Sequence, residues 1–327
     1  MENHKLISVI MSTYNEKEEW LHLSIKSILN QTWSELEFII VNDNPDNKAL
    51  KEVLDEYMRK DNRITVIQNE KNLGLAASMN IAWKRAKGKY VARMDADDIS
   101  VLTRLEKEVE YLERNSLDLL ASNKINISEK GEHTGGYQKI PQGRRAEQLL
   151  PYVNIINHPS VLMKRDLFET TGGYRELVPA EDYDLWLRML TLEYKIGVLD
   201  EPLIYYRLRN NGISMSDNYK QFLLVNYVKG LYRERRKNKG TDSFSEENLE
   251  SYLRKRFKET NRIRYDSARQ CFYKGKCMWK KRKFAGGMIM LKAMISNYNC
   301  ALEKISYFHY KIRKYCLLKR EKNETER

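Results

Sequence analysis

Three carboxylates lie within four residues at Asp95, Asp97 and Asp98, directly after the apolar segment Tyr90–Met94. Carboxylates this close repel one another, and a divalent cation would neutralise them. Their hard oxygen ligands suit Mg²⁺ or Mn²⁺, which commonly use one or two carboxylates together with substrate phosphates. The alternative is that Asp98 or Ser100 caps the helix that follows. These residues alone leave both interpretations open.

Two further polar segments end predicted strands. Ser12–Asn15 follows the first apolar segment, and Asp43 follows the second. Tyr14 offers a flat ring face to a nucleobase, and Asp43 can accept a hydrogen bond from a ring N–H. Each of them alone is more often turn chemistry. Together, at the ends of strands, they predict a nucleoside pocket.

A second acidic pair, Glu181 and Asp182, directly precedes the predicted helix Tyr183–Leu192. A carboxylate at this place could act as a general base if its geometry and pKa are suitable. Acidic residues at a helix N-terminus are equally well explained by the helix dipole. The pair alone therefore leaves the base and the helix start as open alternatives.

These residues must be positioned by alternating strands and helices. The predicted strands are Leu6–Ser12, Leu36–Val41, Ile64–Ile67 and Tyr90–Met94, and the predicted helices are Glu16–Gln31, Ala49–Met58, Leu75–Ala86 and Leu102–Asn115. Gly88 is predicted to be a helix C-cap. The alternation predicts parallel crossovers and a doubly wound sheet, whose ligands bind outside the carboxyl ends of the strands. Further strands are predicted at Ser160–Lys164 and Ile196–Tyr206, and helices from about Ser216 onward.

The charge is divided unevenly along the chain. Residues 1–215 contain 29 Lys and Arg against 33 Asp and Glu, whereas residues 216–327 contain 29 against 12, a net charge of +17. Such a region predicts an anionic partner, unless its helices simply expose many basic residues to solvent. Basic and apolar residues are mixed along Arg282–Ile295 and Tyr307–Leu318, which favours a membrane surface with acidic lipids. Recognised nucleic-acid motifs are absent, which disfavours nucleic acid as the partner.

Several classes of protein are disfavoured. No apolar run reaches the ~18 residues that cross a bilayer, and no signal peptide is recognisable. We therefore expect a cytoplasmic protein, or one bound to the inner face of the plasma membrane. The four cysteines form no CxxC pair, which argues against a zinc site or a disulfide framework. Ser12–Glu16 has no glycine, which argues against a dinucleotide-binding oxidoreductase, and neither a P-loop nor the loop of a sugar nucleotidyltransferase is present.

Seven stretches, in this order, resemble glycosyltransferase family 2, a large group with the GT-A fold. They are Ser8–Asn15, Glu37–Asn44, Asn72–Asn80, Gly88–Asp98, His158–Lys164, Gly172–Tyr174 and Glu181–Arg188. The resemblance covers residues 6–209, about two-thirds of the chain. Any one stretch alone would be unspecific, but seven in order are specific.

The resemblance implies an α/β domain of the GT-A type over residues 1–215, with a mostly parallel sheet and helices on both faces. Residues 1–115 would form its nucleotide-sugar half and residues 116–215 its acceptor half, followed by a helical basic region at 216–327. It implies an inverting, metal-dependent hexosyl- or N-acetylhexosaminyl-transferase that uses a nucleoside-diphosphate donor, usually UDP. The acceptor would be a glycan or a lipid-linked molecule in capsule, exopolysaccharide or O-antigen synthesis. The competing function is a nucleic-acid or anionic-surface binding protein that uses the basic region.

The resemblance also assigns roles to residues. Asp182 would be the catalytic base that deprotonates the acceptor hydroxyl, and Asp97 and Asp98 would bind Mn²⁺ or Mg²⁺. The residues implied in binding the nucleotide sugar are Ser12, Thr13, Tyr14, Asn15, Asp43, Gly74, Asn80, Arg93, Asp95 and Asp97. The candidates on the acceptor side are His158, Glu181, Trp186 and Arg209.

The chain departs from the family pattern at two places. Where many members have Asp-Asp-Gly-Ser after the second strand, this chain has Asn-Asp-Asn-Pro at residues 42–45, which keeps Asp43. Where many members have Tyr-Arg-x-His after the last core strand, it has Tyr-Arg-Leu-Arg at residues 206–209. If that histidine serves the metal or the diphosphate, we expect Arg209 to replace it as a cation that contacts phosphate.

Overall fold

The computed structural model describes residues 6–135, 137–209 and 217–325. The chain forms two compact units. The first runs to Gln148 and continues over Ile155–Arg209, and the second joins Leu149–Asn154 to the C-terminal helices. The predicted domain boundary at residue 215 lies outside the described residues.

The first unit alternates strands and helices over its N-terminal part. Its elements are β1 (Ile7–Thr13), α1 (Glu18–Leu29), β2 (Leu36–Asn42), α2 (Lys48–Lys60), β3 (Ile64–Gln68), α3 (Leu75–Arg85), β4 (Tyr90–Asp95), β5 (Ile99–Ser100), α4 (Arg104–Arg114), β6 (Leu119–Ile127), β7 (Val161–Lys164), α5 (Leu167–Thr171), α6 (Glu181–Thr191) and β8 (Ile196–Arg207). The strands and helices predicted up to residue 115 match β1–β4 and α1–α4 to within about two residues at most ends, a usual uncertainty of boundaries.

The described residues form a sheet of eight strands in the order β3-β2-β1-β4-β7-β6-β8-β5. In this order, the strands β3, β2, β1 and β4 are parallel to one another, which agrees with the predicted crossovers. β7 then lies antiparallel to both β4 and β6, whereas β6 and β8 are parallel. The sheet is therefore mixed, and its parallel half brings the ends of β1, β2 and β4 to one edge.

The core explains why the first strands read as continuous apolar runs. Ile7, Val9, Ile10 and Met11 of β1 are all fully buried. A parallel strand covered by helices on both faces buries successive side chains on both sides, so its sequence does not alternate. α2 shows the complementary pattern, because its buried Leu50, Leu54 and Tyr57 repeat at helical spacing.

A buried ion pair ties α4 to the strands that carry the acidic residues. Arg104 Nε lies 3.0 Å from Glu108 Oε2, and both side chains are fully buried. Arg104 Nη2 also donates to the carbonyl of Arg93 in β4, and Ser122 of β6 donates to Glu108. These hydrogen bonds connect α4 to both β4 and β6. The network is costly to break, because removal of one partner would leave a buried charge unpaired.

The prediction that Gly88 caps the C-terminus of a helix was wrong. α3 ends at the C-cap Ala86, and Gly88 does not adopt a positive φ. A Cβ at Gly88 would instead lie 2.7 Å from both the Leu6 carbonyl oxygen and the Ser8 nitrogen. The glycine is required because the chain entering β4 passes close to the start of β1.

The second unit is helical. Its helices are α7 (Asn218–Lys237), α8 (Glu246–Arg256), α9 (Glu259–Lys280), α10 (Ala285–Ser296) and α11 (Tyr298–Thr325). Asp217 and Ser245 cap the first two by accepting from the amides of Lys220 and Asn248. A small core contains Tyr219, Leu223, Tyr265, Ala268 and Cys300. No helix of the described residues is both long enough and apolar enough to cross a membrane.

Candidate active site

The ends of the parallel strands bring the predicted donor-binding residues together. Ser12 of β1 pairs with Asp95 of β4, and Thr13 pairs with Asn42 of β2. Because parallel strands in register end at the same edge, the segments that follow β1, β2 and β4 share one rim of the sheet. The predicted nucleoside and metal residues therefore belong to one site.

Asp43 shapes the loop that enters α3. Its Oδ1 accepts from Asn69 Nδ2 at 2.7 Å and from the Leu73 amide at 2.8 Å, and its Oδ2 accepts from the Gly74 amide at 2.9 Å. Gly74 has a φ of 84°, a conformation that favours glycine. Oδ2 has this single donor among the described residues and can accept another hydrogen bond. The assigned role of Asp43 in base binding stays a prediction.

The loop after β1 is fixed at its backbone and leaves one ring exposed. Glu16 Oε2 accepts from Thr13 Oγ1 and from the Tyr14 amide, each at 2.8 Å. Asn44 Nδ2 donates to Asn15 Oδ1 at 2.7 Å and to the Tyr14 carbonyl at 3.1 Å. Tyr14 is 42% exposed, so its ring is available for stacking on a ligand.

The three aspartates at the end of β4 form the one candidate metal cluster of the described residues. One ligand atom from each of Asp95, Asp97 and Asp98 lies within 4.8 Å of the others. Asp97 is 7% exposed and Asp98 is 1% exposed. Burial and then repulsion from Asp95 raise the pKa of Asp97 to about 7 and that of Asp98 well above its usual value.

Asp98 supplies a test of whether a cation fits this cluster. Its Oδ1 accepts from the Arg207 amide at 2.8 Å, but its buried Oδ2 has no hydrogen-bond partner among the described residues. A buried carboxylate oxygen without a partner is costly, and a hard divalent cation would satisfy it. The alternative of a helix cap was wrong, because α4 begins at Arg104 after the N-cap Thr103.

Basic side chains partly balance the cluster. Arg93 is buried and forms an ion pair with Asp95. Arg209 Nε lies 2.6 Å from Asp97 Oδ2, and its Nη1 lies 3.7 Å from Glu16 Oε1. Two guanidinium groups therefore lie beside the carboxylates. Arg209 is partly exposed and can also meet an anionic group of a ligand, whereas the donor-binding role assigned to the buried Arg93 stays a prediction.

The first turn of α6 carries the predicted base and its neighbour. Glu181 is buried, and its Oε2 has no hydrogen-bond partner among the described residues. Burial, followed by repulsion from Asp182, raises the pKa of Glu181 to about 8, and Asp95 adds to this shift. Asp182 is half-buried, and its Oδ1 accepts from the Tyr183 amide at 2.6 Å. Glu181 therefore lies close enough to Asp95 for the two carboxylates to repel each other.

His158, Tyr174 and Trp186 form an aromatic cluster, called here the aromatic wall. His158 Nε2 and the Tyr174 hydroxyl are 2.9 Å apart, and the ring centres of His158 and Trp186 are 6.0 Å apart. Burial and the charge of Arg93 hold the pKa of His158 well below its usual value, so its ring is neutral at pH 7. Asn80 uses both ends of its amide on the Tyr174 backbone, at 2.8 Å each.

This wall qualifies three of the assigned roles. Trp186 is fully buried, so in this structure its ring supports His158 and is not open to an acceptor. The amide of Asn80 is engaged with Tyr174, which makes it a positioning residue in this structure, and its contact with a donor stays a prediction. His158 is half-buried and stays a candidate for the acceptor side.

Comparison with known protein families decides the family. The model described as glycosyl transferase family 2 matches residues 8–172, which is half of the chain. The chain belongs to glycosyltransferase family 2. The resemblance inferred from the sequence is thereby confirmed, and the protein is a glycosyltransferase. The competing function, a binding protein without this enzymatic role, is set aside.

Relatives and a solved structure extend this likeness. An uncharacterized glycosyltransferase of Methanocaldococcus jannaschii is 40% identical over 227 residues, which cover 68% of this chain and 78% of the relative. The O-antigen biosynthesis glycosyltransferase WbnJ of Escherichia coli is 35% identical over 214 residues, 64% of this chain and 83% of the relative. S. aureus TarS 1-349 in complex with UDP-GlcNAc has a TM-score of 0.58 at 21% identity and covers 78% of this chain and 72% of that chain. The predicted GT-A fold class is confirmed.

Two residues that interact with the aspartate cluster were missed from the sequence. Arg207 donates a hydrogen bond from Nε to the Asp97 carbonyl at 2.8 Å, and its backbone amide donates another to the Asp98 carboxylate. Lys124 of β6 lies with its Nζ 3.4 Å from the ring centre of Tyr206, and burial lowers its pKa to about 8 despite the charges of Asp98 and Asp95. The Tyr-Arg pair at 206–207 was a usable signal for Arg207, whereas a single lysine in a strand that was not predicted gave none.

Manganese should stabilise this glycosyltransferase more at about pH 8 than at about pH 6. Metal ligation needs deprotonated carboxylates, and a pKa of about 7 leaves most Asp97 side chains protonated at the lower pH. Without metal, the raised pKa of Asp97 contributes stability that is full below the unfolded pKa of roughly 4 and is lost as the pH rises through about 7. Calorimetric melting curves with and without MnCl₂ at both pH values measure the difference.

The control for this measurement removes the cluster itself. Asp97→Asn combined with Asp98→Asn should abolish the effect of manganese. The pair Asp46→Asn and Glu52→Gln, which neutralises two exposed carboxylates, should keep it. Manganese stabilisation that persists in the first double variant would place the metal elsewhere.

Proposed function

We propose that this chain is an inverting, metal-dependent hexosyl- or N-acetylhexosaminyl-transferase that takes its sugar from a UDP donor. The observation that carries the proposal is the cluster of Asp95, Asp97 and Asp98, the last two of them buried, on the same rim of the sheet as Tyr14 and Asp43. An acidic cluster that is only partly balanced, beside an exposed ring, matches a ligand with a base at one end and a metal-bound diphosphate at the other. The structurally similar TarS forms a complex with UDP-GlcNAc, which is consistent with this donor class.

The chain's own groups suit each part of such a donor. The ring of Tyr14 offers a stacking face for uracil, and Asp43 Oδ2 keeps the capacity to accept from the N3–H group. Arg93 and Arg209 offer guanidinium groups to the diphosphate. Asp97 and Asp98 would hold Mn²⁺ or Mg²⁺, which when bound stabilises the negative charge that develops on the leaving diphosphate.

The transfer needs one base and no nucleophilic side chain. The acceptor hydroxyl oxygen attacks the anomeric carbon from the face opposite the diphosphate, so one C–O bond forms while the bond from that carbon to the phosphate oxygen breaks. Asp182 takes the hydroxyl proton, and UDP leaves with the bonding electrons. A single displacement of this kind inverts the anomeric centre. Deprotonation matters because a neutral hydroxyl is a weak nucleophile at pH 7.

The acceptor is proposed to be a glycan or a lipid-linked molecule of capsule, exopolysaccharide or O-antigen synthesis. The name of the E. coli relative, an O-antigen biosynthesis glycosyltransferase, supports this field of activity. A lipid-linked acceptor would be met at the inner face of the plasma membrane. Glu181, next to the proposed base in the first turn of α6, and the half-buried His158 are the groups proposed to contact its hydroxyls.

Asp182→Asn should lower the rate of sugar transfer, or of slow donor hydrolysis by water, by roughly 10²- to 10⁴-fold, because the amide cannot take up the proton. The dissociation constant of UDP, measured by calorimetry with Mn²⁺, should stay the same. The assay uses a panel of UDP-, GDP- and dTDP-sugars, and turnover of GDP- or dTDP-sugars alone would contradict the UDP assignment.

The neighbouring variant Glu181→Gln is the matched control. It also removes one carboxylate from the same helical turn, and its kcat should fall far less than that of Asp182→Asn. The opposite order would transfer the role of base to Glu181, whose pKa of about 8 already keeps it near the range of a neutral-pH base.

Arg209→Ala should weaken UDP binding by roughly 10- to 150-fold, since a charge-assisted hydrogen bond to phosphate contributes roughly 1.5–3 kcal/mol. Arg209→Lys should retain part of the affinity, because it keeps the charge but not the planar geometry. Calorimetric titration of UDP into each variant measures the effect. Unchanged affinity in Arg209→Ala would remove Arg209 from the diphosphate site.

A further inference from the structure

One face of α10 exposes large apolar residues to solvent. Phe284 is 83% exposed, Met288 71%, Leu291 59% and Ile295 78%. They follow one another at intervals of four, three and four residues, which places them on a single side of the helix. Their side chains are of the kind that a folded unit normally buries.

The opposite face of the same helix is the one that packs. A Cβ on Gly275 of α9 would lie 2.7 Å from the Gly286 carbonyl oxygen, and a Cβ on Gly286 would lie 2.5 Å from that of Gly275. Ala293 lies on the side of the helix opposite the stripe and is buried. The helix thus packs against α9 through Gly286 and Met290 and leaves the stripe of large apolar residues on its outer side. An ordinary amphipathic helix of a soluble protein carries polar residues on that side.

A strongly basic turn directly precedes this stripe. Lys280, Lys281, Arg282 and Lys283 are all exposed, and none forms an ion pair with a residue that the structure describes. The sequence has no acidic residue between Asp266 and Glu303, whereas the same stretch has eight Lys and Arg. Trp279, about half exposed, contacts Phe284 with ring centres 5.6 Å apart, so aromatic rings stand next to the basic turn.

We propose that the residues 280–284, 288, 291 and 295, named here the basic-apolar surface, bind a membrane that contains anionic lipids. The basic turn would meet the headgroups, and the apolar stripe would enter the boundary of the acyl chains. Aromatic rings beside the turn suit the level of the headgroups. The surface lies in the helical unit. The inference depends on the proposed function in one respect only, namely that membrane binding would bring the enzyme to a lipid-linked acceptor.

The charges favour a membrane over other occupants. A second copy of the chain packed on this stripe, parallel or antiparallel, would offer the basic turn no acidic partner on the facing helix, because the sequence has no Asp or Glu between Asp266 and Glu303. A nucleic acid would use the basic turn but would have no use for a stripe made mainly of aliphatic side chains, since bases stack on aromatic rings. A fluid bilayer with acidic headgroups satisfies both parts of the surface at once.

Flotation of the full chain with lipid vesicles tests this inference. We expect recovery with vesicles that contain phosphatidylglycerol and little recovery with phosphatidylcholine alone, and we expect high salt to release the protein. The triple variant Met288→Ser, Leu291→Ser, Ile295→Ser should bind roughly 1,000-fold more weakly, because each buried apolar side chain contributes roughly tenfold. Replacing Lys280, Lys281, Arg282 and Lys283 by Gln should weaken binding on the order of several hundred-fold, about fivefold for each charge.

Matched controls separate the surface from general effects on solubility and charge. Leu23→Ser, Leu102→Ser and Leu192→Ser remove three exposed leucines elsewhere, and the combined variant should float like the unmodified protein. Replacing Arg233, Arg236, Lys237 and Lys239 by Gln removes the same charge from another exposed part of the helical unit and should have a small effect. Circular dichroism of each variant verifies that its helices are intact.

Three results would overturn the inference. They are equal recovery with neutral and anionic vesicles, an unchanged affinity of the triple variant, and a dimer in light scattering that the triple variant converts to a monomer. A fourth contrary result would be tight binding of a DNA duplex that depends on the basic turn but not on the stripe, which would favour nucleic acid instead. UDP binding without vesicles should be the same in all these variants, so a failure of the donor proposal would be seen separately from a failure of membrane binding.

Discussion

Repulsion among the three aspartates at the end of β4 is the constraint on which the site depends. Asp97 and Asp98 are almost completely buried, and one oxygen of Asp98 has no hydrogen-bond partner among the described residues. A folded chain keeps such an arrangement only if the remaining structure compensates for it, and its usual reason is a ligand that brings positive charge. Burial first, and then repulsion from Asp95, raise the pKa of Asp97 and of Asp98 above the usual value of an aspartate.

The rest of the first unit holds this cluster in place. β1 and β4 pair in parallel register and set Ser12 beside Asp95, while the Arg104–Glu108 pair fixes β4 and β6 to α4. The end of β8 adds Arg207, whose amide and guanidinium bind the aspartate turn. The chain therefore surrounds the carboxylates with hydrogen-bond donors and fixed positive charges, which orient them without fully neutralising them.

Periodicity was sufficient to predict the parallel half of the sheet, because buried strands and amphipathic helices have different repeats. It failed at β6, where Ser122, Asn123 and Lys124 interrupt the apolar run. Ser122 and Asn123 bind distant partners, Glu108 and Asp200, that no local pattern reveals. The rule that ligands bind at strand ends pointed to Asp43 and Asp95, which the structure brings to one rim of the sheet. It could not find Lys124, because the contribution of that residue depends on long-range pairing of β6 with β8.

The most direct measurement is anomalous X-ray diffraction from crystals grown with Mn²⁺ and UDP. We expect one strong manganese peak at a bonding distance of roughly 2.0–2.2 Å from a carboxylate oxygen of Asp97 or Asp98, with the diphosphate on its other side. The uracil ring should lie against Tyr14. A manganese peak away from this cluster, or UDP bound with the carboxylates still unoccupied, would contradict the interpretation that the cluster exists to bind a metal and a diphosphate.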